Sequence, residues 1–131
     1  MIVSDPLPSL HNHPTEDEPD ILLDKERNIF RFSGKSMPED PGKVYNPILA
    51  WVSAYVKDPN AVTRIEFKMD YYNSSTARYF VEILELFEEL YENGQDIKII
   101  WWYQPDDVVM HERGEDIEAV IEIPIEFRQF E

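Results

Sequence analysis

The chain has 131 residues, enough for one domain built around one sizeable core. Its 27 acidic residues against 12 basic ones give a net charge of −15, which argues against nucleic acid and anionic membranes as partners, since both are held by lysines and arginines that neutralise phosphate. Cysteine is absent, so neither a disulfide framework nor a thiol nucleophile is available.

Met1 leads directly into a polar stretch without the pattern of a signal peptide, and no apolar run approaches the ~20 residues that span a membrane. A cytoplasmic protein without membrane insertion is expected. Residues 1–20, "MIVSDPLPSLHNHPTEDEPD", hold four of the ten prolines, three Asp and two Glu, with no sustained hydrophobic period. They read as an acidic, proline-bearing N-terminal arm with room for one short strand; residues 21–131 read as a single α/β domain. His11 and His13 are too few for a metal site on their own, and a polar arm explains them.

Regular patterning begins at Ile21. "ILLD" and "NIFRFS" flank the turn-like "KER", which predicts a β-hairpin with Phe30 and Phe32 on one face and Ile29, Arg31 and Ser33 on the other. The Gly- and Pro-marked stretch "GKSMPEDPG" predicts a loop. "KVYNPILAWVSAYVKD" then places Val44, Ile48, Trp51, Val52 and Tyr55 at helical spacing, a helix over 44–57 that starts near Tyr45 or Asn46 and keeps Pro47 in its first turn.

In "VTRIEFKMDY", Thr63, Ile65, Phe67, Met69 and Tyr71 alternate with Arg64, Glu66, Lys68 and Asp70. Such alternation predicts a strand with one buried and one wet face. The central strands of a doubly wound sheet are apolar on both faces, so two layers are expected instead. "SSTARYFVEILELFEELYENG" predicts one helix over 74–92, stopped by Gly94, with Phe80, Ile83, Leu84, Phe87 and Tyr91 as its core stripe and Glu82, Glu85, Glu89 and Glu92 on the far side. Tyr79, Leu86 and Leu90 widen the apolar arc, either as a broad core contact or as a flank that docks a partner.

"DIKIIWWYQ" reads as a strand with Ile97, Ile99, Trp101 and Tyr103 on one face. A helix follows over roughly 106–119, opened by Pro105, Asp106 and Asp107 and interrupted or ended near Gly114; "IEIPIEF" reads as a last, edge strand. The expected fold is two-layer α/β, a mixed four- to five-stranded sheet with helices mainly on one face.

Three stretches invite chemistry. "SGKS" looks like the end of a phosphate loop, but that loop needs a glycine where Ile29 stands. Asp106, Asp107, His111, Glu112, Glu115 and Asp116 contain metal-ligand types, and Asp107 and His111 are four apart. Yet Asp at a helix start satisfies free N–H groups, so capping outweighs metal. No catalytic residue, cofactor or metal is expected. The third stretch is "NSST". Asn73 or Ser74 can cap the following helix, but one cap needs one residue, so the other hydroxyls are open to a second role, as caps or as phosphoacceptors.

The strings "FSGKSMPED", "VYNPILAWVSAYV", "FKMDYYNSSTARYFVEIL", "IIWWYQPDD" and "RGED", in this order from about Leu7 to Phe127, resemble the SiaC family of bacterial regulatory phosphoproteins. The resemblance implies a domain similar in outline to anti-sigma-factor antagonist (STAS) domains that works by partner switching. A dedicated Ser/Thr kinase modifies the hydroxyl directly after the motif's Asn, a PP2C-type phosphatase reverses the mark, and the unmodified form binds and activates a diguanylate cyclase. By position the acceptor is Ser74, with Ser75 and Thr76 as alternatives. The matched motifs put Asn73, Ser75, Thr76, Arg78, Ser36, Pro38, Glu39 and Asp40 around it as partner-binding positions. The family's best-matching form carries Thr at the acceptor place, where this chain has Ser.

Three function classes follow: a phosphorylation-switched binding module, a binding module whose hydroxyls only cap a helix, and a metal-assisted enzyme built on His111. Intact mass after expression beside a kinase separates the first two, and metal analysis addresses the third.

Overall fold

The computed structural model describes residues 6–130, so the first five residues of the N-terminal arm lie outside the described residues, as does Glu131. Three antiparallel-linked strands come first: β1 (Leu10–Asn12), β2 (Asp20–Asp24) and β3 (Ile29–Ser36). The chain then alternates as α1 (Pro41–Tyr55), β4 (Val62–Tyr72), α2 (Ser74–Glu85), α3 (Glu88–Glu92), β5 (Asp96–Tyr103), α4 (Val108–Glu118) and β6 (Ile125–Gln129). The six strands form one sheet in sequential order, with β3 to β6 all parallel. Each parallel step needs a crossover, and the helices supply it.

The helices cover one face. Ile21, Leu23, Phe30, Phe32, Ile65, Phe67, Met69, Ile97, Ile99, Trp101 and Ile125 point into the same core as Ile48, Val52, Phe80, Leu84 and Ile117. Phe67 sits at its centre, with ring centroids 4.7 Å from Phe32, 4.9 Å from Phe80 and 5.3 Å from Trp101. On the other face Arg64 and Lys68 are exposed and Glu66 is half-buried, as expected of a two-layer fold. Ile100 is the exception: it is buried on that face, in register between Glu66 and Glu126.

The strand count exceeds the expected four to five because β1, three residues from the arm, pairs with β2 at the sheet edge. The arm is tied down further by Trp51 Nε1, which donates to the Pro8 carbonyl at 2.7 Å, and by the Met37 N–H, which donates to the Asp17 carbonyl at 2.9 Å. The hairpin turn holds Asn28 at φ 56°, a left-handed conformation that Asn tolerates.

Several local expectations need correction. Strand β3 runs on through "GKS", so the loop is shorter than expected. Helix α1 begins at Pro41, with proline at its start, and Pro47 lies well inside it. Pro47 deprives the Lys43 carbonyl of its helical donor, but both residues are exposed and water can take that place. The expected 74–92 helix breaks after Glu85. The Leu86 and Phe87 N–H groups bond back only three residues, to Ile83 and Leu84, and this tighter turn seats Phe87 in the core while rotating Tyr91 outward to 37% exposure.

Helix α4 passes through Gly114 without interruption. A Cβ there would stand 2.7 Å from Trp101 and Phe127, so the glycine permits close packing of the helix on the sheet. Pro124 precedes β6 instead of lying within it, since a strand interior needs its N–H.

The alternation of β4 also slips. Gly34 pairs with Met69 but Lys35 pairs with Tyr71, which leaves Asp70 as the extra residue of a bulge. Beyond it the faces exchange: Tyr71 is 44% exposed and Tyr72 is buried, the reverse of the strict period-two expectation.

Candidate functional site

The bulge delivers the chain into α2 beside the end of β3. The Asn73 N–H donates to the Ser36 carbonyl at 3.1 Å, and the Asn73 side-chain oxygen accepts from the Thr76 N–H at 3.0 Å. Asn73 is therefore the N-cap, one of the two residues able to serve. Thr76 is fully buried. Its hydroxyl contacts Ser36 Oγ at 2.8 Å and donates to the Ser36 carbonyl at 3.2 Å. Ser36 Oγ in turn meets the Tyr45 hydroxyl at 2.6 Å. These three hydroxyls join the end of β3, the first turns of α1 and the first turn of α2.

Burial out of water pushes the Tyr45 hydroxyl up to about 12, although its bonds to Ser36 and Thr76 act the other way. Tyr72 is also pushed up to about 12 by burial, offset in part by the Arg113 guanidinium, which lies 4.8 Å from its ring centre.

With Asn73 capping and Thr76 braced inward, Ser74 and Ser75 are left exposed at the first two positions of α2. Neither hydroxyl makes a side-chain bond to another described residue. Ser75 lines a cleft with Pro41, Arg78, Tyr79 and Glu82, and Tyr79 stacks on Tyr45 at 5.1 Å. Arg78 is exposed on the next turn. Among the other expected partner-binding positions, Glu39 and Asp40 are exposed at the entry to α1, Pro38 is buried, and Ser36 is wholly enclosed. Asp40 holds the N-cap place of α1 without a side-chain cap bond. Tyr79, Leu86 and Leu90 are partly buried and pack against the core.

Some of the residues that suggested metal have other partners. Asp107 caps α4 by accepting from the Met110 N–H at 3.0 Å, His111 Nδ1 lies 3.1 Å from Glu115, and His11 Nε2 lies 2.8 Å from Asp20. A serine hydroxyl with no histidine beside it lacks the general base that activates a serine nucleophile. Sequence reasoning missed Tyr45, which it placed only near the start of α1 and left out of the core positions although the residue is fully buried, and Arg113, which becomes relevant only once the bulge turns Tyr71 and Tyr72. Among the described residues no helix is long and apolar enough to cross a membrane.

Comparison with known proteins adds four findings. The model of the family described as SiaC family regulatory phosphoprotein matches residues 12–130. An uncharacterized protein of Pseudomonas aeruginosa (strain UCBPP-PA14) is 25% identical over 120 residues, 92% of this chain and 87% of its own length. Among solved structures, apo-SiaC from Pseudomonas aeruginosa superposes with a TM-score of 0.84 at 23% identity, covering 92% of this chain and 98% of its own. A second structure is the diguanylate cyclase SiaD in complex with its activator SiaC from the same species. It matches with a TM-score of 0.86 at 22% identity, covering 92% and 99%.

Proposed function

This chain belongs to the SiaC family of regulatory phosphoproteins, and from that membership we propose that it is a cytoplasmic, phosphorylation-switched activator of a diguanylate cyclase. Its role is regulatory, not catalytic. In the unmodified state it binds the cyclase; a cognate Ser/Thr kinase marks Ser74 and a PP2C-type phosphatase removes the mark. The relative crystallised with SiaD is described as that cyclase's activator, which supports a cyclase as the effector here.

The observation that carries this reading is a division of labour at the start of α2. Asn73 caps, Thr76 braces, and the exposed Ser74 hydroxyl has no structural task. A helix cap alone does not account for it.

The switch is electrostatic. Phosphate adds about −1.5 to −2 charges. A partner surface that covers Ser74 must then desolvate a dianion, and leaving it unpaired costs several kcal/mol. Since ~1.4 kcal/mol is tenfold, affinity falls by about a hundredfold or more. Titration calorimetry of the phosphorylated and unmodified proteins against the candidate cyclase tests this. Equal affinities would reduce "NSST" to a helix cap.

A further inference from the structure

The sheet has an uncovered face. Strands β3 to β6 are parallel, and parallel strands are ordinarily covered on both sides, yet here the helices pack on one side only. The uncovered side keeps apolar groups: Trp102 and Phe130 are half-buried there, and Ile100 is buried in register between Glu66 and Glu126.

The charge of this side is the reverse of the molecule's. Arg31, Arg64, Lys68 and Lys98 all stand exposed on it, in a chain whose net charge is −15. Arg64 and Lys98 are register partners on β4 and β5, so two cations sit side by side on strands about 4.8 Å apart, where like charges destabilise a sheet. Among the described residues Arg31, Lys68 and Lys98 have no carboxylate within ion-pair distance. The nearby carboxylates are committed elsewhere. Glu66 accepts from Arg64 at 3.4 Å and from Trp102 Nε1 at 3.2 Å, and Glu126 pairs with Arg128. Asp96 and Asp70 stand at opposite ends of the face, at the first position of β5 and at the bulge.

We propose that this face docks an acidic segment of a partner protein, with carboxylates on Arg31, Lys68 and Lys98 and apolar side chains against Trp102. The face lies across the sheet from α2, so it is separate from the Ser74 site and can be occupied at the same time. A nucleic acid is a poor occupant, because base stacking needs free aromatic faces. Here the Lys68 ammonium lies over the Phe130 ring at 4.3 Å and the Arg128 guanidinium over Trp102 at 5.6 Å. A second copy using the same face fits no better, since a two-fold contact would set cation against cation. A short acidic segment feels chiefly the cations beneath it, because exposed charges more than about 8 Å away are screened at physiological salt. An anionic membrane would extend past them to the carboxylates at the ends of the face.

Selection of short random peptides on the immobilised, unmodified full chain tests this, with enriched peptides then measured by fluorescence anisotropy. Peptides that carry Asp or Glu among apolar residues are expected to be enriched and to bind less tightly as salt is added. Arg31→Glu and Lys98→Glu are each expected to weaken them about tenfold or more. Lys57→Glu makes the same change of charge beyond the end of α1 and should leave affinity within about twofold. Lys98→Glu should not lower the melting temperature, because it sets a carboxylate beside Arg64, so its lost binding is not lost folding. Ser74→Asp should bind as wild type. The face is overturned if no acidic peptide is enriched, if the enriched ones bind Lys98→Glu as they bind wild type, or if Lys57→Glu weakens them equally. Loss of binding in Ser74→Asp would place the peptide on the helix side and overturn it too. Phosphatidylserine vesicles or oligouridylate that bind wild type more tightly than the peptides do, and fail to bind Lys98→Glu, would make a membrane or RNA the occupant and overturn the acidic segment. Self-association that Lys98→Glu abolishes would do the same in favour of a second copy.

Discussion

Ser36 and Thr76 hydrogen-bond through their hydroxyls at 2.8 Å in a fully buried contact between residues 40 positions apart. Thr76 is thereby part of the fold. Thr76→Val keeps the shape, removes both bonds to Ser36 and leaves the Ser36 hydroxyl with Tyr45 alone, which is expected to cost about 1–3 kcal/mol in urea unfolding. Ser74→Ala removes an exposed hydroxyl and should stay within about 0.5 kcal/mol of wild type. Mass spectrometry after kinase treatment should show the reverse sensitivity: phosphate retained in Thr76→Val and lost in Ser74→Ala.

Gly114 supplies a second prediction. Alanine at this helical site gains about 1 kcal/mol in propensity. Its Cβ, however, would lie 2.7 Å from the Trp101 indole and the Phe127 ring, and Trp101 Nε1 donates to the Met110 carbonyl on the same helix at 3.0 Å. Neither ring is the far end of a flexible side chain. Overpacking of this kind costs about 1–3 kcal/mol, so Gly114→Ala should be net destabilised in denaturant titration. A more stable variant would mean that α4 can lift from the sheet freely.

These two sites show where the sequence is legible and where it is not. The alternation from Thr63 to Met69, the amphipathic first part of α2 and the Asp107 cap are local patterns, and local patterns carry into structure intact. The Asp70 bulge is not local: nothing in β4 announces it, since the extra residue is defined only against Gly34 and Lys35 of the neighbouring strand. The break at Leu86 and Phe87 contains no glycine or proline, so helical spacing continues through it unmarked. Gly114 was visible as a possible breaker, but only the ring positions of Trp101 and Phe127 reveal it as a contact. At the candidate site a cap at Asn73 or Ser74 was legible from the motif, and Asn73 takes it, whereas the burial of Ser36 and Thr76 depends on long-range pairing.

Alkaline pH should weaken the fold. Tyr45 and Tyr72 are buried and pushed up to about 12, while an unfolded tyrosine ionises near 10. Between these values the unfolded chain has lost protons that the folded protein keeps, so unfolding gains favour as pH rises. The stabilisation is complete below pH ~10 and is lost progressively towards pH ~12, on the order of 2 kcal/mol for each ring. Urea midpoints from pH 8 to 11.5 should fall accordingly. Absorbance titration should show Tyr45 and Tyr72 ionising late, or only on unfolding. Tyr45→Phe should start less stable at pH 8, having lost the Ser36 bond, and should fall less steeply above pH 10. A flat profile across the window would show that neither hydroxyl is protected.

The last expectation concerns what phosphate does to the domain itself, apart from any partner. Ser74 is the first residue of α2, where the free N–H groups and the helix dipole favour an anion by roughly 0.3–1 kcal/mol. Arg78 is one turn on and can approach the phosphate. The exposed Asp70 and the net charge of −15 act against it. The terms are similar in size and opposite in sign, so phosphorylation should change unfolding free energy by less than about 1 kcal/mol, with Asn73 still capping. At Ser75 a phosphate would share its cleft with Glu82 as well as Arg78, so Glu82 offsets part of what Arg78 supplies there. Site mapping should therefore find the mark on Ser74, and melting curves of modified and unmodified protein should nearly coincide at moderate salt. Added salt should move the modified protein's curve upward slightly more, as screening weakens repulsion from Asp70 and its acidic surroundings. A large drop in melting temperature would make the switch one of local unfolding instead of a blocked surface, and Ser74→Asp would then be destabilised in the same direction.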